Sequence, residues 1–249
     1  MRIRVRRQDA PDAPSRLDTF DVAIPAGSSI HAALVAIRDR PVTVDGRRVD
    51  PPAWDASCLE GSCGGCTVRL GGRAVLACTT AVDAAPPGRH GALLEPMARF
   101  PVVRDLVVDR DREGAAIARL DAGALPAAAS STEGALPAES PAERALRGDL
   151  AACIGCGACI DACPETGGGS PFVGAAAIAM SHLARLHPAR DAAHEDHLAA
   201  RLAVRGGVAD CGHAQACVEA CPVEVPLAEA IADGSRVTSR RWLTGWMRR

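Results

Sequence analysis

The chain has 249 residues, enough for one large domain or two ordinary ones, and its 48% apolar and 23% charged residues are the composition of a globular protein. A formal net charge of -2 and an isoelectric point near 6.4 argue against a nucleic-acid partner or a polybasic membrane tail. No window approaches the roughly 18 uninterrupted apolar residues of a membrane span, and the basic start MRIRVRRQDAPDAP lacks the apolar stretch of a secretory signal.

The first elements read as strand, turn, strand, helix. Arg2 to Arg6 alternates with Ile3 and Val5 apolar, Asp9 to Pro14 is turn chemistry, and Thr19 to Ile24 alternates again. Gly27-Ser28-Ser29 offers an N-cap for a helix from about Ile30 to Arg38, with Ala33, Leu34 and Ile37 on one face and Pro41 as the stop. Phe100 to Val108 fits a strand or a short helix equally well. From Leu120 to Pro141 the composition shifts to Ala, Pro, Ser and Gly, as in a linker or surface excursion. Beyond it the strand signals vanish, and Ala175 to Leu186, Ala192 to Val204 and Leu227 to Ile231 have helical spacing. The expected fold is α+β, with an N-terminal α+β domain over residues 1–110, a linker over 111–143 and an all-α domain over 144–249.

Eleven cysteines without a secretory signal argue against a disulfide framework, because cytosolic thiols stay reduced, and an odd number cannot pair completely. Metal is the remaining explanation. Cys58, Cys63, Cys66 and Cys78 are spaced C-x4-C-x2-C-x11-C, whose opening is the plant-type [2Fe–2S] spacing. A loop wrapped around a two-iron cluster must bring backbone N–H groups onto sulfur, and Gly61, Gly64 and Gly65 permit that approach. A structural zinc site is the bland alternative. Zinc takes ligands as separated pairs, and only Cys63 and Cys66 form one.

Cys153, Cys156, Cys159 and Cys163, followed by Pro164, form the bacterial ferredoxin run C-x2-C-x2-C-x3-C-P. Cys211, Ala214, Cys217 and Cys221-Pro222 repeat it position for position, with alanine in place of the second cysteine. In two-cluster proteins the last cysteine of each run serves the other cluster. The exchange yields Cys153, Cys156, Cys159 and Cys221 for [4Fe–4S], and Cys163, Cys211 and Cys217 for a site with three thiolates. Alanine cannot bind iron, so [3Fe–4S] is the natural occupant; a [4Fe–4S] cluster with water or another side chain on the fourth iron is the alternative. The sets use every cysteine.

Little else suggests catalysis, for there is no G-x-S-x-G and no Walker loop. Gly167-Gly168-Gly169 follows a ligand run and reads as a loop. His194 and His197, in the run AHEDH, read as a solvated helix face. His213, between two ligands of the three-thiolate site, is either an exposed neighbour or a hydrogen-bond donor near a quinone. Trp242 and Trp246 in SRRWLTGWMRR would give a basic, amphipathic helix, suited to docking or lipid headgroups, or else a tail packed on its own domain.

Clusters of different type form a wire, which needs partners at both ends. The combination of CLEGSCGGC with Cys78, CIGCGACIDACP and CGHAQACVEACP, in that order over nearly the whole chain, resembles the iron–sulfur subunits of succinate dehydrogenase (succinate:quinone oxidoreductase) and fumarate reductase. WDASCLEGSCGGC, PFVGAAAIA and GGVADCGHAQACVEACP look like the menaquinone-linked subgroup with a di-haem cytochrome b anchor. The resemblance implies a β-grasp [2Fe–2S] domain and a helical two-cluster domain. It also implies a flavoprotein partner with FAD, and electrons passing through [2Fe–2S], [4Fe–4S] and [3Fe–4S] to quinone at a membrane anchor. Such a respiratory subunit, serving the tricarboxylic acid cycle, would lie peripherally on the cytoplasmic face of a bacterial plasma membrane. Two positions depart from the family pattern on the quinone side. Glu165 and Thr166 stand after Pro164 where many relatives have tryptophan, and Gly212 displaces the expected histidine to His213. Fumarate reduction by the same wire and a free-standing multi-cluster carrier are the alternatives.

Overall fold

A computed structural model describes residues 1–84, 91–121, 138–167 and 169–247, with side chains through residue 243. The chain divides into two units, one of residues 1–110 with 154–162, the other of residues 111–153 with 163–249.

In the first unit β1 (Arg2–Arg7) and β2 (Arg16–Asp21) pair antiparallel, from Arg2 opposite Asp21 to Arg7 opposite Arg16. The period-2 pattern turns Ile3 and Val5 into the core, and the same alternation carries Arg7 inward. A buried guanidinium is tolerable only when paired. Arg7 Nε donates to Asp105 Oδ1 at 2.8 Å and Nη1 to Asp18 Oδ2 at 3.2 Å. Asp105 also accepts from the backbone N–H groups of Gln8 (3.0 Å) and Ala53 (2.9 Å). One carboxylate thereby ties the first strand to the segment that leads into the first cysteine loop.

The helix α1 (Ile30–Asp39) is capped by Ser29, whose hydroxyl accepts from Ala32 N–H at 3.1 Å. Its apolar face, Ile30, Ala33, Leu34 and Ile37, is buried, as are the strand residues Phe20, Val68 and Leu94 of the same unit. β3 (Thr67–Leu70) and β4 (Arg73–Leu76) form a hairpin through Gly71 and Gly72, both at positive φ. β5 (Ala92–Glu95) runs parallel to β1 and antiparallel to β3, giving the order β2-β1-β5-β3-β4. The undecided stretch from Phe100 is a small hairpin of β6 (Val102–Arg104) and β7 (Val107–Val108). A short helix, α4 (Ala158–Ala162), completes the unit.

The second unit is helical. α2 (Asp111–Arg119) and the start of α3 (Pro141–Ala151) lie in the stretch read as linker; residues 122–137 fall outside the described residues. Ser140 and Glu143 close a capping box at α3, with Pro141 in the first turn. α5 (Ala175–Arg185) buries five consecutive small or branched residues, Ala175 to Ala179. It packs on α8 (Leu227–Met247), which also contacts α6 (Ala192–Leu202) and α7 (Ala216–Ala220). α8 runs sixteen residues past the Ile231 that helical spacing indicated. Gly234, inside it, sits where a Cβ would lie 3.2 Å from Val208 Cγ2, so the missing side chain admits a close neighbour. His182 on α5 and Asp233 on α8 meet at 2.6 Å, and Arg185 and Arg236 join the same carboxylate.

The solvated-face reading fails for His194. Its ring is buried, with Nε2 at 3.3 Å from the Ala184 carbonyl, because α6 turns that edge onto the end of α5; His197 is exposed as expected. Trp242 is 72% exposed and Leu243 50%, yet both line a cleft with Ala203, Val208 and Ala209 of the same unit, and Arg241 pairs with Asp196 on α6; the side chain of Trp246 lies outside the described residues. Among the described residues no helix is long and apolar enough to cross a membrane.

Candidate metal centres

The first cysteine loop follows Ala53, whose N–H donates to Asp105 and whose carbonyl accepts from Leu106 N–H, and it ends at β3. Cys66 is buried at the head of β3 and Cys78 follows the end of β4, so the hairpin sets them side by side, with Sγ atoms 3.4 Å apart. Cys58 and Cys63 are on the outer part of the loop. Its path uses positive φ at Leu59, Gly61 and Gly64. A Cβ on Gly61 would lie 3.1 Å from Thr79 Cγ2. Glu60 N–H approaches Cys58 Sγ at 3.5 Å. The Ser62 hydroxyl, with that N–H and Cys63, lowers the Cys58 thiol to about 6, which favours the thiolate that binds iron. Burial pushes the Cys66 thiol up.

Cys156 and Cys159 belong to the same unit. Gly155 and Gly157 around Cys156 are left-handed, and a Cβ on Gly157 would meet Phe100 Cζ at 2.8 Å. Asp161, buried on α4, accepts from the backbone N–H groups of Ala98 and Arg99, and Arg69 lies 3.4 Å from it. That carboxylate anchors the helix carrying Cys159.

In the second unit Cys153 follows α3 and Cys221 follows α7, with Val225 N–H on the Cys221 sulfur at 3.3 Å. Cys163, Cys211 and Cys217 line one cavity of about 220 Å³, walled by Phe172, Ala175 and Ile231. Burial raises the thiols of Cys163 and Cys217. Pro164, Glu165, His213 and Ala214 line the same cavity. Gly212 fits beneath Glu165, whose Oε1 a Cβ would meet at 2.5 Å. The repeat seen in the spacing extends to the backbone. Gly155 and Gly157 have φ of 58° and 74°; their counterparts His213 and Gln215 have 55° and 57°. A left-handed conformation costs a non-glycine residue about 1–2 kcal/mol, so the second run keeps the ferredoxin backbone against the preference of its side chains.

Sequence reading missed the β3–β4 hairpin that positions Cys66 and Cys78, although Gly71-Gly72 between TVRL and RAVL is a hairpin signal. It also missed Asp161, for which spacing carries no signal, and Arg110, whose guanidinium donates to the backbone carbonyls of Gly64, Gly65, Gly155 and Cys156.

These residues suit iron–sulfur clusters: grouped thiolates, backbone N–H groups on sulfur, and glycines where side chains would intrude. The class is that of a multi-cluster electron-transfer protein. Residues 2–113 match the 2Fe-2S iron-sulfur cluster binding domain and residues 145–222 the 4Fe-4S dicluster domain. The succinate dehydrogenase iron-sulfur subunit of Bacillus subtilis (strain 168) is 34% identical over 96% of this chain and 92% of that protein. The fumarate reductase iron-sulfur subunit of Escherichia coli O157:H7 is 30% identical over 96% and 93%. A chain of the Mycobacterium smegmatis Sdh1 complex in the apo form shares the fold, with a TM-score of 0.77 over 96% of this chain and 95% of that one at 19% identity. The chain belongs to the family of iron–sulfur subunits of succinate dehydrogenase and fumarate reductase. It is an electron-transfer subunit of such an oxidoreductase, with [2Fe–2S], [4Fe–4S] and [3Fe–4S] clusters as its cofactors.

Proposed function

We propose that this chain relays electrons from the FAD of a flavoprotein subunit to quinone at a membrane-anchor cytochrome b, in the direction of succinate oxidation. Bound in place, the clusters supply one-electron transfer at graded potentials. Cys58, Cys63, Cys66 and Cys78 hold [2Fe–2S]; Cys153, Cys156, Cys159 and Cys221 hold [4Fe–4S]; Cys163, Cys211 and Cys217 hold [3Fe–4S]. The observation that carries the reading is the cavity shared by Cys163, Cys211 and Cys217, with Ala214 at the position Cys156 occupies in the first run. Pro164 and His213, which line this cavity, are the residues we assign to the quinone side, and the motif resemblance favours menaquinone and a di-haem anchor. The complex lies with this subunit peripheral on the cytoplasmic face of the bacterial plasma membrane.

Low-temperature EPR with iron and sulfide counts tests the assignment. A near-isotropic signal from the oxidised protein that vanishes on mild reduction is expected, with the other two signals appearing on stronger reduction. A silent oxidised sample holding iron for two cubanes would overturn the three-iron assignment.

A further inference from the structure

The first unit contains a junction that the ligand assignment leaves unexplained. Arg110, half-buried just beyond β7, donates to four backbone carbonyls from two cysteine loops. Its Nη1 lies 3.0 Å from Gly64 O, 3.3 Å from Gly155 O and 3.2 Å from Cys156 O, and Nη2 lies 2.9 Å from Gly65 O. The loops touch at this point backbone to backbone. A Cβ on Gly64 would stand 2.6 Å from Ile154 O and 2.7 Å from Cys156 Cα.

We propose that Arg110 is a positioning residue for electron transfer between the first two clusters, a strap that fixes their binding loops against each other. The reading rests on the ligand sets proposed above. No peptide bond described is cis, and in a trans peptide N–H and C=O point in opposite directions. Holding the carbonyls of Gly64, Gly65, Gly155 and Cys156 therefore orients the N–H groups of Gly65, Cys66, Cys156 and Gly157 away from the guanidinium. Those amides belong to or adjoin proposed ligands, and hydrogen bonds from amides to sulfur tune cluster potentials. The strap thus acts on two quantities, the separation of the loops and the amide field around the sulfurs. Arginine suits the task because its planar fork presents several fixed donors, whereas an ammonium is a compact point charge.

The test compares Arg110→Gln and Arg110→Lys in the full-length chain. Hydrogen exchange on the cluster-bearing protein reads peptides spanning residues 58–66 and 153–159, and EPR-monitored redox titration reads the assembled complex. The strap predicts exchange about tenfold faster in both loops for Arg110→Gln, the loss of roughly one or two net hydrogen bonds. It also predicts lower potentials for the [2Fe–2S] and [4Fe–4S] signals with the [3Fe–4S] potential unmoved. Arg110→Lys, which keeps the charge but not the fork, should shift both potentials and speed exchange to a lesser degree. Wild-type exchange and potentials in Arg110→Gln would overturn the proposal, as would an Arg110→Lys protein identical to wild type, which would leave only a charge effect. Wild-type protein lacking the two signals would instead mean that the ligand assignment had failed.

Discussion

The close approach at Gly64 leads to a paired prediction with an internal control. Gly64→Ala and Gly155→Ala each place a side chain at positive φ, 67° and 58° respectively, at a cost of roughly 1–2 kcal/mol. There the two part. At Gly155 an added Cβ meets nothing within 4 Å, and the matching position of the second run holds a histidine at nearly the same φ. At Gly64 it would meet Ile154 O at 2.6 Å, Cys156 Cα at 2.7 Å and Cys156 Cβ at 2.9 Å. Two of those atoms are backbone, so relief requires moving a loop, and forced overpacking costs roughly 1–3 kcal/mol more. The total for Gly64→Ala is about 2–5 kcal/mol, a large share of the roughly 5–15 kcal/mol that stabilises a domain. Thermal scans of both holo-proteins at one scan rate should place Gly64→Ala about 2–12 °C below Gly155→Ala, taking 2–4 °C per kcal/mol at this size. Unfolding of a cofactor-bearing protein is not two-state, so midpoints are compared side by side, with iron and sulfide counted on each preparation. Equal midpoints and equal cluster content in the two variants would refute the argument, because the loop contact would then be absent in solution.

Ala214→Cys restores the missing thiolate on a backbone that already follows the first run. Its expected outcome is one more iron per chain and loss of the oxidised near-isotropic EPR signal; unchanged iron would refute the overlay of the two runs. Asp161→Ala leaves two backbone N–H groups and Arg69 without their carboxylate and should cost about 2–4 kcal/mol, visible as early loss of the [4Fe–4S] signal on warming. Burial alone would raise the Asp233 carboxyl, but His182 with Arg185 and Arg236 reverses this and holds it well below its ordinary 3.8. A depressed folded value means that the stabilisation is complete above 3.8 and is lost as pH falls below it. Asp233→Asn should therefore melt lower at neutral pH and lose less on acidification than wild type, on matched preparations; parallel acid limbs would refute the linkage.

The hidden charges show where sequence reading stops. His194 lies in a run of polar residues and reads as solvated, yet the way α6 packs on α5 buries its ring. Arg7 continues the alternation of β1 onto the core side, and its tolerance depends on Asp18 and Asp105, eleven and ninety-eight positions away. The β3–β4 hairpin was legible from Gly71-Gly72 in principle, whereas the fork of Arg110 on four carbonyls had no local signature at all.

Cysteine spacing and the alanine at position 214 of the repeated run could be read from the chain alone, because cluster chemistry demands particular residue types at particular intervals within short loops. The first two strands, α1 and the helical second half were also legible, since periodicity reports which face an element buries. Tertiary structure alone decided how the Cys66–Cys78 pair is braced, which loops Arg110 fastens and which charges lie inside. Those outcomes depend on contacts between residues far apart in the chain, and a linear pattern carries no record of which distant backbone a side chain will reach.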